Sequence, residues 1–365
     1  TGLPDEALDE LLRCAAPRRQ DVTVYARAEP DSHGSLETTR LDHHHAHACT
    51  AFWPSRFDSA SILVCDHEPP FVSIWRGSGT QVNRVEWPWQ GSALANLYSE
   101  CAELLGFKGA DQRMEAMARL YPRAADWATP LFAFHDDRLE IAEGWRARVA
   151  AQIGKGSPTE KAQVAAALQS RMGDLFIDML TMVKRRGAAN RHVCLGGSLF
   201  YNSYFNSRAK LSGVFDEVFV PMDPGNAGLS LGTAAYVGRT RRQALTPFLG
   251  PSYSPAEIKE TLDNCKLTYR WVSEADAIAV AVDTLAKGRL VAWFEGAMEC
   301  GPRALGARSI LASRFCTYVL DNLNHFLKHR EPWRGYALSG LDSAVKEHFD
   351  GPAASPFMEC DYTPK

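Results

Sequence analysis

The chain is short of several features that would assign it a class at once. Its nine cysteines, at 14, 49, 65, 101, 194, 265, 300, 316 and 360, never fall in C-x-x-C spacing. That excludes a zinc knuckle and a thioredoxin-type redox motif. No run of about 18 apolar residues occurs, so no membrane span is expected. No signal peptide is visible, and the first residue is Thr1 rather than Met. Basic residues are not in excess: 40 Lys and Arg stand against 43 Asp and Glu, a net charge of −3. There is no electrostatic case for nucleic-acid binding. The remaining composition, 45% hydrophobic and 23% charged, is that of an ordinary globular protein. Cys65 and Cys194 sit in apolar runs, which reads as buried thiols in a reducing cytoplasm.

What the chain does have is histidine in one place. His43, His44, His45 and His47 are four of 11 in the protein. His43 and His47 are four apart, which on a helix puts both imidazoles on one face, one turn apart. Two ligands on one helix is a metal-binding spacing, and imidazole suits zinc, iron, copper or nickel. The plainer reading is a polar helix with a local histidine excess. Ala46 and Ala48 are small enough to bring that helix close to a neighbour. Ser61 to Asp66 follows, an apolar β-type run ending in an acid, and Asp66 is the candidate third ligand.

Along the chain, residues 4–14 have helical spacing (Leu8, Leu11, Leu12), and Val22 to Tyr25 reads as a strand. The histidine helix is expected over about 42–52. Strands Ile62–Asp66 and Val72–Trp75 flank the turn signal Glu68-Pro69-Pro70. Helical patterns cover Ser92–Leu105, ending at Gly106, and about 111–120. Residues 158–185 carry the stripe Val164, Leu168, Met172, Leu175, Met179 and Met182, a core stripe. The strand His192–Leu195 then runs into Gly196-Gly197, with Asn202 and Asn206 expected on the next helix. Glycines at such a junction let a phosphate or ribose approach the backbone. Val218–Val220 is another strand, leading through Pro221–Gly228 into a small-residue helix. Three strand-end junctions, at 66, 196 and 225, predict one cleft.

A cluster of Pro247, Gly250, Pro251 and Pro255 marks a domain boundary. The expected organisation is 1–245, a linker over 246–254, and a second domain over 255–365. Ser254, Pro255 and Glu257 form a strong helix start, Ser273 opens the next helix, and Leu290–Phe294 is a strand. The stretch 295–309 places Arg303 and Arg308 beside the Gly301-Pro302 turn. Lys328, Arg330 and Arg334 follow about 20 residues on. Basic residues interleaved with Gly, Pro and Trp suit an oxyanion pocket for phosphate or carbamoyl oxygens. The alternative is a solvated basic face.

These residues resemble the O-carbamoyltransferases, including the tobramycin, cephamycin, ansamycin, novobiocin and nodulation enzymes. The resemblance rests on Gly301-Pro302-Arg303-Ala304-Leu305-Gly306-Ala307-Arg308-Ser309, on Lys328 to Arg334, and on the histidine helix followed by an acid. It implies an α/β protein with an actin/sugar-kinase-like (ASKHA) domain over 1–245 and a YrdC-like domain over 255–365, both reading as incomplete at their ends. The activity it implies is formation of carbamoyladenylate from carbamoyl phosphate and ATP, followed by transfer to a hydroxyl of a small molecule. Fe(2+), ATP and Mg(2+) are the implied cofactors. By position, His43, His47, Asp66 and Asn226 resemble the iron ligands. Arg303, Lys328 and Arg334 resemble the catalytic residues that hold carbamoyl phosphate and the adenylate, and Gly196, Gly197, Asn202 and Gly228 the nucleotide-binding residues.

Four departures stand out. Gly225-Asn226-Ala227-Gly228 replaces the family's Gly-Asp-Ala-Gly, so Asn226 is a neutral ligand and Asp223 the alternative. His67-Glu68-Pro69-Pro70 replaces a Gly-rich turn. Arg113-Met114-Glu115-Ala116-Met117-Ala118 replaces Lys-Val-Met-Gly-Leu-Ala. No counterpart of the terminal Asn-Thr-Ser-Phe-Asn is found. The other functional expectations are a non-catalytic nucleotide- or metal-binding remnant acting with a partner, or carbamoylation of a macromolecule.

Overall fold

A computed structural model describes residues 25–28, 38–121, 125–135, 138–187, 190–239, 241 and 246–365. The helix expected at 4–14 and most of the strand at 22–25 lie outside them. The chain divides into two compact units. One is Thr1–Leu245 with Leu338–Lys365, and the other is Thr246–Ala337. The closing segment, 338–365, which sequence order groups with the second domain, therefore packs with the first unit. Its anchors are polar: Asp361 accepts from Arg119 Nη2 at 2.7 Å, and Glu359 from Lys210 at 2.7 Å.

In the first unit, strand β1 (Tyr25–Ala28) pairs in parallel with β2 (Thr38–Leu41). Helix α1 (His43–Phe52) follows at once, capped by the Asp42 carboxylate, which accepts from His45 N at 2.9 Å. Then come β3 (Ser59–Cys65), β4 (Val72–Ser78) and β5 (Gln81–Val85). Helices α2 (Leu94–Leu104) and α3 (Asp111–Ala118) lead to the hairpin β6 (Phe132–His135) and β7 (Arg138–Ile141). Helix α4 (Trp145–Ile153) precedes α5 (Pro158–Arg186). Helix α5 starts at a capping box between Ser157 and Glu160 and buries its expected stripe from Val164 to Met182.

The chain returns through β8 (His192–Gly196), α6 (Ser203–Leu211), β9 (Glu217–Phe219) and α7 (Leu229–Gly238). The central sheet has the order β5-β4-β3-β8-β9, with β4 and β5 antiparallel and β3, β8 and β9 mutually parallel. Strand β3 is buried on both faces, as its unbroken apolar run requires. Ile62 and Val64 join Ala48, Phe52, Trp53 and Leu229 in a core under α1 and α7. On the other side, Ser61 Oγ donates to Gly187 O at the end of α5. Because β3, β8 and β9 run the same way, their C-terminal ends share one edge.

The second unit holds α8 (Pro255–Asn264), with the Ser254–Glu257 capping box, and α9 (Glu274–Ala286). An antiparallel pair, β10 (Val291–Phe294) and β11 (Arg308–Leu311), frames the loop between them. A π-type turn over Asn322–Leu327 precedes the basic segment. In the closing segment of the first unit, α10 (Asp342–His348) is followed by a short pair, Phe349–Asp350 with Thr363–Pro364. Among the described residues no helix is long and apolar enough to cross a membrane.

Candidate metal centre and its surroundings

The four histidines divide by helix geometry. His43 and His47 face the C-terminal edge of the sheet, and His43 Nε2 lies 3.2 Å from His47 Nε2. Asp66, one residue past β3, comes to the same point. Its Oδ2 is 2.9 Å from His43 Nε2 and 3.5 Å from His47 Nε2. Among the described residues these three form a group able to hold a metal ion. His44 points elsewhere and is used structurally. Its Nδ1 meets Ser73 Oγ at 2.7 Å, and its Nε2 meets Glu68 O at 3.0 Å. Burial lowers the His44 pKa to about 4, so the ring is neutral. His45 stacks on Trp75 with ring centroids 4.8 Å apart.

The remaining atoms of the cluster are oriented by backbone. Pro224 O lies 3.1 Å from His47 Nδ1 and accepts from Gly197 N at 2.8 Å. A carbonyl only accepts, so His47 carries its proton on Nδ1 and turns the Nε2 lone pair toward Asp66 and His43. Asp66 Oδ1 accepts from Ser198 N at 2.9 Å. Burial opposes ionisation of Asp66, but the contacts it makes with His43, His47 and Ser198 outweigh it and hold the carboxyl well below the usual range. The bond to Asp66 raises His43 in turn, against burial.

This donor set fits a divalent metal. Donors about 2.1 Å from one ion stand about 3.0–3.4 Å apart at angles between octahedral and tetrahedral. The observed separations are 2.9, 3.2 and 3.5 Å. Two imidazoles and one carboxylate on one side is the pattern of non-haem iron(II) sites.

The junctions at 66, 196 and 225 do converge, through Asp66, Gly197 and Pro224. The glycines serve this convergence. A Cβ on Gly196 would stand 2.9 Å from His47 O, and one on Gly197, at φ +104°, only 2.2 Å from Cys65 O. Close packing of β3, α1 and β8 is thus their evident role here. Gly228 is buried where its carbonyl accepts from Thr50 Oγ1 at 3.1 Å. Asn202 precedes α6 rather than lying in it, and its Oδ1 caps that helix by accepting from Tyr204 N at 3.0 Å. Asn206 lies inside α6, with its amide bonded to Phe200 O and Glu359 O. Asn226 is exposed at the start of a short turn, whereas Asp223 is buried and accepts from the Tyr201 hydroxyl.

In the second unit the basic residues have distinct surroundings. Arg303 is half-buried in a loop that Glu299 pins. The Glu299 carboxylate accepts from Leu305 N, Ala307 N and Arg308 N at 2.9, 2.7 and 3.0 Å. Arg308 itself is committed to structure. It donates to Glu295 O, Ala307 O and Gly296 O and covers the Phe294 ring. These bonds hold its guanidinium against the backbone of its own loop. Lys328 is exposed, and Arg334 is half-buried, 3.9 Å from Glu331.

The residue that sequence reasoning missed is Asn324. It is buried, and its Nδ2 donates to Pro332 O at 3.2 Å and Arg334 O at 2.9 Å. Its Oδ1 accepts from Arg330 Nε at 2.8 Å and from the Tyr336 hydroxyl at 2.9 Å. One side chain thus ties the basic segment into a closed loop. An asparagine directly after Leu323, four residues before Lys328, was the available signal. Asn324→Ala is expected to cost about 2–4 kcal/mol locally, several hydrogen bonds with acceptors left buried. Trypsin should then cut at Lys328, Arg330 and Arg334 much faster than in the parent. An unchanged cleavage rate would refute the clamp.

The sequence comparisons agree with one another. The family described as "Carbamoyltransferase N-terminus" matches residues 133–235, and "Carbamoyltransferase C-terminus" matches 282–365. Nodulation protein NolO of Bradyrhizobium diazoefficiens is 30% identical over 344 residues, covering 87% of this chain and 62% of that protein. The 3'-hydroxymethylcephem-O-carbamoyltransferase of Streptomyces clavuligerus is 32% identical over 205 residues, 54% of this chain and 37% of that protein. The chain spans between 50% and 62% of the length of three relatives that it matches over 87% of itself. Among solved structures, the activator of 2-hydroxyisocaproyl-CoA dehydratase from Clostridium difficile with bound ADPNP aligns at a TM-score of 0.43 and 13% identity, over 75% of this chain and 88% of that one. With both halves of the family pattern present in their order, and together taking in just over half of the chain, this protein belongs to the carbamoyltransferase family.

Proposed function

We propose that the chain is an ATP-dependent O-carbamoyltransferase. Carbamoyl phosphate, ATP and one water give carbamoyladenylate, phosphate and pyrophosphate: water releases phosphate from carbamoyl phosphate, and the carbamate oxygen then bonds to the α-phosphorus of ATP as pyrophosphate leaves, with Mg(2+) accompanying the nucleotide. A hydroxyl oxygen of a small molecule then bonds to the carbamoyl carbon as the bond to AMP breaks, and the hydroxyl proton passes to solvent. The first unit takes the role of the ASKHA transfer domain and the second that of a YrdC-like adenylate-forming domain. Family membership supports the reaction type. The observation that carries the reading is the His43, His47 and Asp66 cluster, with His47 Nε2 aimed inward by Pro224 O.

Iron(II) would be held by His43, His47 and Asp66, and would supply Lewis-acid polarisation of a carbonyl or phosphoryl oxygen. The protein's own contribution there is orientation: Asp66 stays ionised, and Ser198 N fixes its second oxygen. Arg303, Lys328 and Arg334 neutralise the carbamoyl phosphate dianion and its planar oxygens.

Incubation with carbamoyl phosphate, ATP and magnesium should yield carbamoyladenylate and pyrophosphate by mass spectrometry. Arg303→Ala should lower that yield by about a hundredfold or more, the scale of one lost oxyanion donor. Nucleotide binding to the first unit should survive. An unchanged yield in the variant would remove Arg303 from the mechanism. A parent protein that binds metal and nucleotide but forms no adenylate would favour a binding remnant, for which the exposed, neutral Asn226 is the motivating observation.

A further inference from the structure

The loop that carries Arg303 is folded around a single oxygen. Glu299 Oε1 accepts from Leu305 N at 2.9 Å, Ala307 N at 2.7 Å and Arg308 N at 3.0 Å. Main-chain N–H groups that converge on one point form a nest for an anion. Here the anion is a side chain of the same loop. Burial opposes ionisation of Glu299, but the backbone donors outweigh it and hold the carboxyl below its usual range. The oxygen is therefore charged at neutral pH, and a charge-assisted bond is roughly twice as strong as a neutral one.

Glu299 itself stands on fixed backbone. On one side of it Met298 N donates to Pro251 O at 2.9 Å, and on the other Cys300 N donates to Pro247 O at 2.6 Å. The bond from Leu305 N to the carboxylate then closes a ring of chain over residues 299–305, and Arg303 lies within that ring. The course of the backbone at Arg303 is thus held at Cys300 by Pro247 and at Leu305 by Glu299. Beyond the ring, Arg308 ties the loop to Glu295 O and Gly296 O. A guanidinium that must meet a planar oxyanion depends on where its backbone starts. A misplacement of about 1 Å can cost about a hundredfold in rate.

We propose that Glu299 is a positioning residue for adenylate formation, which folds the 299–308 loop so that Arg303 meets the oxygens of carbamoyl phosphate. The proposal rests on the carbamoyl-transfer reading for the substrate of Arg303. It assigns Glu299 no contact with that substrate, so every effect of Glu299 must pass through Arg303.

The test is a double-mutant cycle on the full chain, read as kcat/KM for carbamoyl phosphate in pyrophosphate release, with ATP and magnesium saturating. Glu299→Ala should lower this value about tenfold or more, and by no more than Arg303→Ala does. In the Arg303→Ala background the same change should alter it by less than about twofold. A residue that merely supported the fold would cost the same on both backgrounds. Glu299→Gln keeps an acceptor oxygen without the charge and should fall between the parent and Glu299→Ala. Thermal melting checks each variant, and if Glu299→Ala does not fold, Glu299→Gln takes its place in the cycle. Parental kcat/KM in the Glu299 variant used, or an equal loss on both backgrounds, overturns the proposal. Parental kcat/KM in Arg303→Ala also overturns it, since nothing would then be positioned. A parent that forms no adenylate rejects the carbamoyl-transfer reading and the positioning role with it. A parent that forms adenylate and is indifferent to Glu299 rejects the positioning role alone.

Discussion

His47→Ala should abolish stoichiometric iron. The loss in affinity is expected to exceed a hundredfold, since even the outer partners of a metal-bound histidine are worth about ten- to a hundredfold. The fold should tolerate the change comparatively well. Pro224 O keeps its bond from Gly197 N, and Asp66 keeps its bond from Ser198 N. The truncation itself costs about 2–4 kcal/mol as a buried large-to-small change. His44→Ala is the matched contrast. His44 is equally buried, yet its ring nitrogens contact Ser73 and Glu68, away from the cluster. It should lose comparable stability and keep its iron. Metal analysis on the two purified variants, each checked by thermal melting, decides the matter. Full iron occupancy in His47→Ala would sink the assignment, and so would loss of iron from both variants alike.

Gly232→Ala should have the largest effect on the fold for the smallest chemical change. Gly232 lies in α7 where that helix crosses the histidine helix. A Cβ there would stand 2.3 Å from Thr50 Oγ1, 2.5 Å from Thr50 N and 2.6 Å from Ala46 O. Two of those three atoms are backbone, and no rotamer change relieves them. The helices must move apart, losing the Thr50–Gly228 bond and the packing of Leu229 against the core under α1. A cost of at least about 3 kcal/mol is expected, or about 6–12 °C in the melting midpoint of this unit. Because α1 carries His43 and His47, metal affinity should fall in parallel. A variant that melts with the parent would show that the contact yields more easily than its geometry implies.

Much of the first unit was legible in the sequence because its signals are local. The i, i+4 spacing of His43 and His47 follows from helix geometry, and the small Ala46 foreshadowed a close helix contact, which Gly232 supplies. Strand β3 was readable as an apolar run ending in an acid, and α5 from its stripe. The parallel run of β3 and β8 then made the three junctions meet. Sequence spacing does not reveal whether a guanidinium also bonds its own backbone, and Arg308 does so, closing the loop between β10 and β11.

What only the tertiary structure decided are pairings between residues far apart in the chain. Pro224 O selects the His47 tautomer across 177 residues. Asp361 returns to Arg119 across 242 residues and brings the closing segment onto the first unit. Asn324 organises the basic loop through backbone carbonyls that carry no side-chain signature. The sequence by itself determined which donors exist and on which local face each stands, since helix and strand periods are properties of the backbone. The tertiary structure decided which of them meet, because that depends on strand order and on glycines whose missing Cβ lets two backbones touch.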